Sequence, residues 1–112
     1  MNEVSNQELA AIEIDLSAAK NQELNEDYLG QFGAAVGMLL KAITQGYTTP
    51  VKIRGKETDI RKFANVLNGE RKYMLSYNKH GLNHSDTYSS KYKLDKAVRD
   101  FEKSTGLKWP FK

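Results

Sequence analysis

The chain has no cysteine, two prolines, one tryptophan and two histidines in 112 residues. Without thiols it can form neither a disulfide nor a zinc–thiolate centre. Apolar residues make up 39%, below the globular average, so the core must be thin for a single domain of this size. The longest apolar run, residues 32–40, holds Gly33 and Gly37 and falls far short of the roughly 20 residues a spanning helix needs. The N-terminus carries acids where a secretory signal has bases and then an apolar segment, so the chain reads as soluble and intracellular, and the sequon Asn83-His84-Ser85 as fortuitous. Catalytic signatures are missing as well. There is no HExxH, no nucleophile elbow and no dinucleotide fingerprint, and Gly55-Lys56 lacks the earlier glycine of a phosphate loop. Neither an enzyme, a cofactor nor a small-molecule substrate is expected.

What the chain does have is charge, unevenly divided. Residues 1–31 carry seven acids (Glu3, Glu8, Glu13, Asp15, Glu23, Glu26, Asp27) against Lys20, a net of −6. Residues 32–112 carry 16 bases and seven acids, a net of +9, and the two parts combine to the overall +3. An acidic N-terminal arm or helix over 1–24 and a single basic helical domain over 25–112 follow. Such asymmetry points to a polyanionic partner, or to an arm that shields the body until a partner arrives.

Hydrophobic spacing predicts a mainly α fold: a compact bundle of four to five helices with at most one small β element near residues 50–54. Ser5-Asn6-Gln7-Glu8 fits a capping box, and Leu9, Ile12, Leu16 and Ala19 then form a helical stripe, although Ile12, Ile14 and Leu16 also alternate as a strand would. Asn25-Glu26-Asp27 starts a helix with Tyr28, Phe32, Ala35, Val36, Leu39 and Ile43 on one face and Gly46 as stop. Val51-Lys52-Ile53 reads as a short strand whose partner is residues 107–111, residues 11–16 or another chain. Thr58 or Asp59 caps a helix with Ile60, Phe63, Ala64 and Leu67 inward, and Asn68-Gly69 marks a break or kink. A further helix runs from Glu70 to His80, closed by Gly81. The last helix ends near Thr105 with Leu94, Ala97, Val98 and Phe101 inward and Gly106 as stop, and the aromatic end is expected to dock on the body.

Two sets of residues stand out. Gly30, Gly33 and Gly37 interrupt an otherwise apolar helix, and Gly33-x-x-x-Gly37 would let another backbone approach closely. That approach is either packing within the monomer or, with Trp109 and Phe111, a protein–protein interface. The second set interleaves bases and tyrosines: Arg71, Lys72, Tyr73, Tyr77 and Lys79, then Tyr88, Lys91, Tyr92 and Lys93. Bases suit phosphates and aromatic faces suit exposed nucleobases, while the plainer reading is core-edge tyrosines beside solvated lysines. His80 and His84 are four apart, but Gly81 intervenes and no carboxylate lies at helical spacing with both, so no metal site is expected.

Gly81-Leu82, Tyr88-x-x-Lys91 and the closing Phe101-Glu102-Lys103-Ser104-Thr105-Gly106-Leu107-Lys108-Trp109-Pro110-Phe111-Lys112 resemble small uncharacterised proteins encoded by tailed bacteriophages. The resemblance covers about the last 60 residues and rests on no catalytic motif. It implies a context, a protein made in a bacterial cytoplasm and built into or packaged within a virion, and no functional residues. The sequence thus favours a non-enzymatic assembly protein that self-associates or binds another protein, with a small DNA- or RNA-binding protein autoinhibited by its acidic arm as the alternative.

Overall fold

The pleat of residues 12–16 decides how the chain begins. Ile12, Ile14 and Leu16 are buried while Glu13 is exposed, the period-two pattern of a strand. In the computed structural model, which describes residues 11–19, 25–46 and 48–111, β1 (Ile12–Asp15) is followed by α1 (Glu26–Gln45), β2 (Val51–Arg54), α2 (Glu57–His80) and α3 (Ser85–Thr105). The strands pair in parallel, Ile12 opposite Val51 and Asp15 opposite Arg54. A parallel pair needs a long crossover, and α1 supplies it. Residues 11–16 are therefore the partner of the 51–54 strand, and the small β element is two-stranded.

Two expectations of the helix count change. The stripe from Leu9 to Ala19 is a strand over its central residues, because alternation buries Ile14 where a helix would turn it outward; the capping box at 5–8 lies outside the described residues. Asn68-Gly69 does not break the second helix, which runs unbroken from Glu57 to His80. A Cβ on Gly69 would stand 3.3 Å from Leu94 Cδ1 and 3.5 Å from Leu94 Cα, so the glycine admits the α3 backbone and stops nothing. Three helices, not four or five, are present among the described residues.

The ends of α1 follow local rules. Asn25 Oδ1 accepts from the Tyr28 amide at 2.7 Å, Glu26 and Asp27 occupy the positive first turn, and Gly46 takes a left-handed φ of 80°. Helix α2 departs from expectation: Lys56 holds the cap position with no side-chain bond, and Asp59 is instead buried, accepting from the Ser104 hydroxyl of α3. Helices α2 and α3 form an antiparallel hairpin, as the pairings Asp59 with Ser104, Gly69 with Leu94 and Ser76 with Ser90 require.

The core lies where the body end of this hairpin meets α1 and the sheet. Phe32, Phe63, Phe101 and Trp109 meet there, Trp109 edge-on to Phe63 and Phe101 at centroid distances of 5.9 and 5.5 Å. Ile12, Ile14, Leu16, Val36, Leu39, Val66, Leu94, Val98 and Leu107 pack around them. At the end of α3, Gly106 has a φ of 78° and its missing Cβ would lie 3.0 Å from Ala19 Cβ. Gly106→Ala should therefore destabilise the protein by at least about 1–2 kcal/mol from left-handed strain alone, read as a lowered midpoint in urea denaturation.

Candidate nucleic-acid interface

Beyond Gly69 the hairpin leaves the core behind. From residue 70 to residue 93 only Thr87 is fully buried, so the rest of both helices meets solvent on most sides. The 3.6-residue period then sorts the side chains. Lys62, Asn65, Lys72, Ser76 and Lys79 recur along one face of α2, and Lys93, Lys96 and Asp100 along the facing part of α3. Lys62, Asn65, Lys93, Lys96, Ala97 and Asp100 line an open cleft of ≈ 230 Å³ between the helices. Among the described residues no carboxylate lies within 4.0 Å of Lys72, Lys79, Lys93 or Lys96, whereas Arg61 is paired with Glu57 at 3.1 Å. On the outer side of α3, Tyr88, Tyr92, Lys96, Arg99 and Lys103 follow one another at helical spacing, with Tyr88 60% and Tyr92 67% exposed.

The base-and-tyrosine set from the sequence is thus divided. Lys72, Lys79 and Lys93 share the basic face, and Tyr92 stands beside it. Lys91 does not: it is bound to Asp95 at 2.8 Å and sits 6.0 Å from the Tyr73 ring centroid, on the hairpin's other side. The Asp95 hydrogen bond holds the Lys91 ammonium above its ordinary range. Tyr73 and Tyr77 line a hollow there with Glu70 and Met74, while Arg71 lies with Met74, Leu75 and Ile43 near the end of α1. Lys62 and Lys96 were not singled out in the sequence. Their signal was available in the helical period, but it needed the unbroken α2 and the register of α3 to bring them together.

The residues expected at a protein interface are mostly engaged inside the chain. Pro110 Cβ would be 3.6 Å from a Cβ on Gly33, and Phe111 Cζ 3.5 Å from one on Gly37, so the glycine stripe receives the C-terminal tail. Trp109 is core, 3% exposed; Gly30 has nothing within 4 Å and Phe111 is 45% exposed. No helix among the described residues is long and apolar enough to cross a membrane.

No protein-family model matches the chain, and neither a curated protein nor a solved structure matches it.

The underside of the hairpin carries a titratable group tied to the core. Glu70 is part-buried and accepts from the Trp109 indole N–H at 2.7 Å. Burial pushes its carboxyl up, the indole bond and Lys91 oppose the rise, and Asp95 adds to it. A carboxyl raised by folding holds its proton more tightly in the native state, so stability falls as pH climbs from the unfolded to the native value, and the loss is complete above it. Glu70→Gln keeps an oxygen for the indole and carries no charge. Urea denaturation of both proteins across the acidic pH range should show wild type losing ground to E70Q as pH rises; a constant difference would mean Glu70 titrates as it does in the unfolded chain.

Proposed function

We propose that the chain is a non-enzymatic nucleic-acid-binding protein whose contact surface is the basic face of the α2–α3 hairpin. The observation that carries this is the cleft in which Lys62, Lys93 and Lys96 converge, continued along the helices by Lys72 and Lys79. Lysines on a rigid hairpin can follow a phosphate backbone, and the sequence-independent part of nucleic-acid affinity comes from such contacts. Tyr88 and Tyr92, exposed beside them, offer flat faces to unstacked bases, which favours single strands over duplex. The phage-like C-terminal half fits a protein of a bacterial cytoplasm or a virion, where packaged nucleic acid is abundant.

Within this reading, the acids of residues 1–10, Glu3 and Glu8, compete with phosphate for the basic face. The deletion stops at residue 10 because Ile12, Ile14 and Leu16 belong to the core. Deleting residues 1–10 should strengthen nucleic-acid binding; unchanged affinity removes the competing role.

Fluorescence anisotropy with mixed-sequence single-stranded and duplex DNA, between about 50 and 200 mM salt, tests the surface. Four phosphate contacts would give a log–log salt slope of about −3 to −4 on duplex. Reversing Lys93 and Lys96 to Glu together should weaken binding at least about tenfold and reduce the slope by about two, since each phosphate-contacting lysine accounts for about one. Lys91→Glu should matter less, because Asp95 already neutralises that ammonium. Affinity indifferent to salt and to both reversals overturns the reading. A defined oligomer that ignores DNA in light scattering would return the chain to the assembly class.

A further inference from the structure

The turn between α2 and α3 does what the sequence spacing did not promise. His80 is the last residue of α2, His84 precedes α3, and Asp86 lies in the first turn of α3. The chain reverses at residues 81–84, which lays the two imidazoles face to face with centroids 3.9 Å apart and planes 14° from parallel. Asp86 Oδ2 is 3.4 Å from His80 Nε2 and 4.0 Å from His84 Nδ1. One donor atom from each of the three residues lies within 4.8 Å of the other two. The carboxylate missing at helical spacing is supplied across the turn.

We propose that His80, His84 and Asp86 form a binding site for a divalent transition cation of the zinc type. Two imidazoles and a carboxylate are donors that such ions take, leaving a fourth position for water. At bonds of about 2.0–2.1 Å, neighbouring ligands of a tetrahedral ion stand roughly 3.3 Å apart, close to the separation of His80 Nε2 from Asp86 Oδ2. The turn is braced in advance: Thr87 Oγ1 donates to the Gly81 carbonyl at 2.7 Å, the Gly81 amide to Tyr77 at 2.8 Å, and the Tyr88 hydroxyl to Asn83 Oδ1 at 3.2 Å. The Asp86 carboxylate favours a cation there, and the negative end of the α2 dipole offsets the positive N-terminus of α3 at the same turn. The His80 and His84 side chains are 25% and 42% exposed, which leaves the ion a path and lets the rings leave their stack and turn their edges toward it. A bound ion would clamp the end of the hairpin. The site is separate from the basic cleft and does not depend on nucleic-acid binding.

Calorimetric titration of zinc chloride into the full, untagged chain is the test. One ion per chain is expected, with His80→Gln and Asp86→Asn each weakening binding at least about tenfold. His84 Nδ1 also caps α3 by accepting from the Asp86 amide at 3.0 Å, so an ion bound at that nitrogen takes its one lone pair from the cap. His84→Asn removes the imidazole but keeps a side-chain oxygen suited to the cap, so a loss of binding in that variant with an unchanged helical spectrum reports coordination and not a damaged helix. Absence of binding, or binding undiminished by H80Q and H84N, overturns the proposal; the latter would place the ion on surface carboxylates elsewhere.

Discussion

The return of Trp109 to the core is the constraint on which the rest depends. One tryptophan near the end of the chain fills the space between Phe63 and Phe101, which belong to different helices. Its backbone N–H is held by Glu102 and its indole N–H by Glu70, so both of its donors, which would oppose burial, are satisfied. Once Trp109 is seated, Pro110 and Phe111 must run along α1, and Gly33 and Gly37 provide the room. A chain with a small apolar fraction thereby closes its core with Leu107 and Trp109 from beyond α3.

That closure also decides which surfaces remain for function. Helix α1 receives the tail at Gly33 and Gly37 and packs its apolar stripe on the core, while Leu29 and Met38 stay exposed on its outer face; the basic residues that face solvent together are those of the hairpin. In its distal half α2 and α3 meet chiefly each other, through small contacts such as Ser76 with Ser90. The lysine cleft lies nearer the core, where Lys62, Lys93 and Lys96 take the solvent side of helices whose other faces bury Phe63, Val66, Leu94 and Val98. The histidine turn at the hairpin's end and the lysine cleft along it are products of one geometry, two antiparallel helices joined by a short braced turn.

Much of this was legible in the sequence. The start and stop of α1, the stop of α3, the strand at 51–54 and the docking of the aromatic end follow from caps, periodicity and the aversion of large aromatics to water. Other features were not. Gly69 has the composition of a break, and only the proximity of Leu94 explains why a helix retains it. Asp59 looked like a cap, yet its carboxylate serves a partner 45 residues away. The alternation and the helical stripe of residues 9–19 compete on equal terms until a parallel partner, itself 39 residues on, selects the strand.

The sequence by itself determined local matters: where α1 starts and ends, where α3 stops, that an acidic segment precedes a basic body, and that no thiol chemistry is available. These depend on neighbours within a turn or two of the chain. The tertiary structure alone decided which lysines share a cleft, that Lys91 is neutralised, that the glycine stripe receives the chain's own tail, and that His80, His84 and Asp86 converge. Those outcomes turn on helix register and on the direction of one short turn. A shift of a single residue rotates a helix face by about 100°, and no local pattern fixes that rotation until the aromatic core locks the helices together.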